Sequence, residues 1–191
     1  MSNRLAAVAL ALLTLGPGPA PLDSEAAPRP YVVTSWSGSF FFKMTPDPSA
    51  PANREKGLGF AYKVTPGQTD ELLWQTNGWY SFSVWLSDDG VYLVRVGNWP
   101  RGDKPTDSDL AVAFYKSGEL LKKYSTADLI KDPSRIAPSV SHYDFLAAPF
   151  PDFAEQPTVP RDKLTFRLRT VDAIEYLFDA RTGELLSATQ F

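Results

Sequence analysis

The sequence of 191 residues contains no cysteine. That absence excludes a disulfide framework, a thiol nucleophile, a thiolate metal site and a lipid-bearing cysteine behind an export signal. Histidine occurs once, at His142. A single imidazole excludes a histidine-rich metal centre. No Gly-x-Ser-x-Gly stretch is present, so nothing offers a serine on a nucleophile elbow. Lys and Arg are scattered, and the formal net charge is −3. A phosphate-binding surface needs basic residues gathered on one face, so nucleic acid is not an expected partner.

What is present is the composition of a globular chain, 43% hydrophobic and 21% charged. Arg4 precedes the apolar run Leu5 to Leu15, which Gly16-Pro17 ends. The run is too short to span a bilayer stably and reads as a signal-peptide core. Ser24-Glu25-Ala26 offers small residues at the two sites a signal peptidase reads. The expectation is a signal peptide over 1–26 and a secreted or periplasmic bacterial protein, with no stable membrane insertion after cleavage. A retained anchor is the alternative. Residues 31–191 are then one β-rich domain.

That domain is organised around Phe82 to Tyr124. Ser87-Asp88-Asp89-Gly90 is turn chemistry, and Asp-Gly between apolar runs predicts a hairpin. Its arms, Phe82 to Leu86 and Val91 to Val96, are rich in β-branched and aromatic residues. A second hairpin joins Leu110 to Tyr115 with Leu120 to Tyr124 across Gly118. Leu110 to Tyr115 is apolar on both faces, which predicts a strand covered on both sides.

Fainter copies flank this unit. Ser35 to Phe42 echoes Leu86 to Leu93, and Phe60 to Trp74 echoes the second hairpin across Pro66-Gly67. Downstream, Ile174 to Asp179 runs into Gly183-Glu184-Leu185-Leu186, and Gly-Glu-Leu-Leu also stands at 118–121. The spacing, about fifty residues between the first two copies, is in the range of repeat units. Ser-x-Asp-Gly, an apolar strand, a strand ending in Tyr or Phe, a Gly turn and Glu-Leu-Leu together resemble blades of WD-repeat-like β-propellers. They also resemble uncharacterised secreted bacterial proteins with such units and a Ser-x-Ser-His-aromatic stretch, here Ser139 to Tyr143. The resemblance implies a blade-like building block and no particular reaction. Three units are fewer than the usual minimum of about four blades. The expected fold is therefore all-β, with stacked antiparallel sheets built of blade-like hairpins, propeller-like or sandwich.

One helix is expected near 125–131, with Ser125 as its cap and Asp128 at the capping-box spacing. The Pro-rich stretch 132–162 predicts an irregular connection. Leu164 to Arg169 alternates strictly and predicts a strand with one buried face.

The candidate site residues are Trp79, Trp99 and His142. Trp79 and Trp99 stand beside turns, which predicts exposure and a place for sugar stacking. Trp36, Trp74 and Trp85 complete the set. Packing of the core and seams is the competing role for such rings. His142 lies between Ser141 and Tyr143. Neighbours on an extended segment point to opposite sides, so this local cluster is no Ser/His/Asp triad. The expected role of His142 is to fasten the long connection through both ring nitrogens. Asp103, Asp107 and Asp109 match no calcium loop. The expected function is that of an exported, non-catalytic binding or interaction protein whose partner is an unknown protein or polysaccharide, with a carbohydrate-binding module using exposed Trp, or a hydrolase of an envelope polymer, as the alternatives; no metal or cofactor is expected.

Overall fold

The computed structural model describes residues 27–49, 55–139, 141–148, 151–153 and 164–191. The expected signal peptide lies outside the described residues, as does most of 149–163. Three four-stranded antiparallel sheets follow one another along the chain, each a meander in sequence order. The first holds β1 (Tyr31–Thr34), β2 (Phe40–Pro46), β3 (Gly57–Lys63) and β4 (Glu71–Asn77). The second holds β5 (Val84–Leu86), β6 (Tyr92–Val96), β7 (Leu110–Lys116) and β8 (Glu119–Ser125). The third holds β9 (Asp152–Phe153), β10 (Thr165–Thr170), β11 (Ile174–Asp179) and β12 (Glu184–Gln190). The fold is all-β, and the sheets stack without closing into a barrel.

The second sheet is the middle layer. Leu93, Ala113 and Tyr115 pack with Phe42, Met44 and Ala61 of the first sheet. The alternate residues Val94, Val112 and Phe114 pack with Phe166, Leu168 and Phe178 of the third. Period-2 alternation sends neighbouring side chains to opposite faces, so one strand serves two cores. This is why Leu110 to Tyr115 carries no polar residue. Phe114 is wholly buried against three rings, Phe166, Phe178 and Tyr124. Burial of a side chain this size contributes about 1.5–3 kcal/mol.

The Glu-Leu-Leu copies occupy equivalent places. Glu71, Glu119 and Glu184 each begin the fourth strand of a sheet. Each fourth strand then skips one residue in its pairing: Tyr62 faces Leu72 while Ala61 faces Trp74. Likewise Tyr115 faces Leu120 while Phe114 faces Lys122, and Phe178 faces Leu185 while Leu177 faces Ser187. The bulged residue is the second leucine of each copy, Leu73, Leu121 or Leu186. A bulge bends its strand and increases local twist, which suits the outer edge of a stacked sheet. The turn before each later copy presses on the preceding sheet. A Cβ at Gly118 would lie 2.5 Å from the carbonyl oxygen of Gln75, and one at Gly183 would lie 2.6 Å from Cβ of Lys122.

Helix α1 (Thr126–Leu129) is short and sits where the sequence predicts it. Ser125 Oγ accepts from the Asp128 N–H at 3.1 Å, and Asp128 Oδ2 accepts from the Ser125 N–H at 2.8 Å. That reciprocal pair is a capping box. Beyond it the chain makes a 3-10 turn at Pro133–Arg135. Within the irregular connection expected over 132–162 lies a two-residue strand: β9 pairs with β10 through Phe153 and Asp152. Two residues between prolines carry no alternation to read, and the pairing partner supplies the strand.

Candidate functional site

The three residues singled out from the sequence separate in space. Trp79 is buried, 8% exposed, contrary to the expectation from its place beside Asn77-Gly78. The chain turns back after Gly78 and lays the indole between the first two sheets. Its ring lies 5.3 Å from Tyr115 and 6.3 Å from Phe42, and the Arg95 guanidinium stands 4.6 Å above it. Its Nε1–H donates to Thr76 Oγ1 at 3.1 Å. A ring enclosed on both faces has no surface to offer a ligand.

Trp99 and His142 do come together. Trp99 is 41% exposed, and its ring lies 6.0 Å from the His142 imidazole and 4.8 Å from Phe82. Asn98 fixes the segment that carries it. The Asn98 carboxamide accepts from the Phe82 N–H at 3.1 Å and donates to the Tyr80 carbonyl at 3.0 Å. Arg101 bridges to His142 in an antiparallel pair, and the Tyr143 N–H donates to the Pro100 carbonyl at 3.1 Å. The result is an aromatic edge at one end of the middle sheet, rimmed by an imidazole.

Among the described residues the imidazole is hydrogen-bonded through Nδ1 and not through both nitrogens. His142 is partly exposed, and Nδ1 meets the hydroxyl of its own neighbour, Ser141, at 3.1 Å. The fastening is done by the backbone and by Tyr143, which is completely buried. The Tyr143 hydroxyl lies 2.9 Å from Thr126 Oγ1 and donates to Asp109 Oδ2 at 3.4 Å. Burial raises the Tyr143 pKa, and the nearby Asp109 charge acts in the same direction. The buried hydroxyl that ties this stretch to Thr126 and Asp109 thus belongs to Tyr143, the residue beside the histidine.

Four acidic residues near the turns and the cleft are occupied with structure. Asp88 accepts from the Ser37 N–H at 2.8 Å, tying the first hairpin to the Asp-Gly turn. Asp89 accepts from Ser87 Oγ and from the Val91 N–H. Asp109 accepts from Thr106 Oγ1 at 2.7 Å. Asp172 is buried below the surface of a cleft of about 380 Å³ lined by Lys131, Arg135 and Tyr176. It accepts from the Lys131 N–H at 2.6 Å, the Asp132 N–H at 3.0 Å and Thr170 Oγ1 at 2.6 Å. Burial alone would raise its pKa, but these bonds together hold the carboxyl below its ordinary range. Among the described residues no group of three or more His, Asp or Glu is arranged to hold a metal ion.

Two further aromatic features are exposed, one at a tryptophan of the sequence set and one that the sequence did not single out. Trp36 is 97% exposed at a hairpin tip. Phe41 and Tyr62 stack at 4.9 Å on the outer face of the first sheet. The alternation of Leu58, Phe60 and Tyr62 in β3 was the available signal for that face. Comparisons with protein-family models and with curated proteins find no match to this chain.

Proposed function

We propose that the protein is an exported, non-catalytic binding protein that contacts its ligand at the Trp99–His142 edge. The observation that carries this reading is a half-exposed indole held rigidly against Phe82 and beside an imidazole. Its supporting segments are pinned by Asn98 and by the Arg101–His142 bridge. No nucleophile, base and orienting group converge there among the described residues. Among the described residues the hydrogen-bond partner of the His142 imidazole is the hydroxyl of Ser141, adjacent in sequence and poorly placed to act as a nucleophile and be oriented at once. Export rests on the N-terminal pattern of Arg4, Leu5 to Leu15 and Ser24-Glu25-Ala26.

A polysaccharide is the ligand class that the edge favours. A flat aromatic face with hydrogen-bonding groups at its rim matches a sugar ring, which has an apolar face and a hydroxyl periphery. Binding of the 27–191 protein to a panel of polysaccharides, with Trp99→Ala beside it, tests the reading. Loss of binding in a normally folded variant supports it; unchanged binding contradicts it.

A further inference from the structure

We propose that the Arg95 guanidinium is a subsite for a carboxylate, and that the ligand of the Trp99 edge is a polysaccharide bearing uronic acids. The inference rests on the sugar-binding reading of that edge and names the class of sugar.

Arg95 belongs to β6, where it pairs with Val84 of β5 and Ala113 of β7. Its side chain enters the seam between the first two sheets and lies over the Trp79 ring. It is only partly exposed there. Nε is buried and has no hydrogen-bond partner. Among the described residues the guanidinium has no carboxylate partner either. The strand arginines of the third sheet, also partly buried, differ in this respect. Arg167 bonds Asp152 at 3.0 Å, and Arg169 bonds Glu175 at 2.7 Å. Arg95 shares their setting and lacks their anion.

A guanidinium always carries its charge, and a partly buried one without a counter-ion is costly. The Trp79 ring offsets part of that cost through its face. An aromatic face gives no acceptor to the in-plane N–H groups. Tyr31 gives no anion. Burial raises its pKa and the nearby Arg95 charge opposes the rise, so the hydroxyl and the cation are neighbours while the hydroxyl stays neutral. That hydroxyl donates to the Ser81 carbonyl at 2.6 Å. The flat fork of donors on Arg95 is therefore left for a carboxylate from outside the chain, which it fits in bidentate fashion.

A row of rings joins this position to Trp99. Tyr31 lies 6.2 Å from Tyr80, Tyr80 lies 5.0 Å from Phe82, and Phe82 lies 4.8 Å from Trp99. Tyr80 is wholly buried, and its hydroxyl bonds the Arg29 backbone at both N–H and carbonyl. The row is thus a fixed wall with Trp99 at one end and the cation at the other. A sugar chain stacked on Trp99 needs only a few residues along that wall to bring a carboxylate to Arg95. A neutral chain would leave the guanidinium unpaired.

Binding of the 27–191 protein to polygalacturonate and to hyaluronan, each beside its methyl ester, tests the inference without any variant. The ester keeps the sugar rings and removes the charge. The acid form of at least one polymer should bind about tenfold or more tightly than its ester, the scale of one charge-assisted pair. Arg95→Gln should lower binding of the acid to that of the ester and leave the ester unchanged. Trp99→Ala should weaken acid and ester alike. Equal binding of acid and ester by the wild type overturns the inference and leaves the reading at Trp99 standing, as does an acid preference that survives Arg95→Gln. Dextran sulfate bound more tightly than either uronate overturns the assignment of a carboxylate. An acid preference that depends on Arg95 and not on Trp99 overturns the reading at Trp99 and keeps the Arg95 subsite. No binding to any of these polymers overturns both.

Discussion

The Arg95 guanidinium lies 4.6 Å above the Trp79 ring, and the other residues around that ring, Phe42 and Tyr115, come from two different sheets. Trp79 is thus the seam between the first and second layers. Trp79→Ala should cost about 3–5 kcal/mol, the range for removing a large buried aromatic. Arg95→Ala should cost less, on the order of 1 kcal/mol from the lost cation–π contact. Urea unfolding of the two variants measures both; equal costs would contradict the assignment of Trp79 as the anchor.

Gly90→Val should unfold the protein or nearly so. Gly90 has φ of +70°, which a β-branched residue adopts only under strain. A Cβ there would also lie 2.5 Å from the Phe40 ring and 3.0 Å from Leu73. Both neighbours belong to the first sheet, so the turn of the second cannot relax alone. A melting temperature equal to that of the wild type would contradict this packing.

Tyr143 and His142 should respond in opposite ways to mild substitution. Tyr143→Phe removes a buried hydroxyl from Thr126 and Asp109 and should lower stability by about 1–3 kcal/mol. His142→Gln touches a partly exposed ring and should change stability by about 0.5 kcal/mol or less. Denaturant midpoints of the two variants decide the matter. A larger loss for His142→Gln would restore the imidazole as the fastening group.

Asp172 makes stability depend on acid. Its folded pKa is held down, so its contribution is present above the ordinary carboxylate range and is lost as pH falls through the folded value. Asp172→Asn should therefore destabilise by about 1–3 kcal/mol at pH 7, and the gap to wild type should narrow below about pH 4. A gap that stays constant or widens on acidification would contradict the bonding described for this carboxylate.

The layers were legible in the sequence because alternation reports which faces are covered. Leu110 to Tyr115, apolar throughout, is the strand with a core on each side. Leu164 to Arg169, strictly alternating, is the strand with one face on the core and the other on the outside of the third sheet. The helix was legible from Ser125 and Asp128, since a capping box is a local device. β9 was not, because its two residues become a strand only through contact with β10. Trp79 was not, because a residue beside a turn shows no period, and the direction taken after Gly78 is set by packing on Arg95 and Tyr115. The outer face of the first sheet was half legible: β3 alternates Leu58, Phe60 and Tyr62, but the sequence gives no sign of which alternate set meets the second sheet.

The claim that the protein binds without catalysis is tested most directly at Trp99. The 27–191 protein and its Trp99→Ala variant would be titrated against a panel of polysaccharides while new reducing ends are counted in the same samples. The account predicts binding of at least one polysaccharide by the wild type, binding weakened about tenfold or more in the variant (about 1.4 kcal/mol), an unchanged melting temperature and no new reducing ends. New reducing ends that depend on the protein, or binding that Trp99→Ala leaves intact, would contradict it.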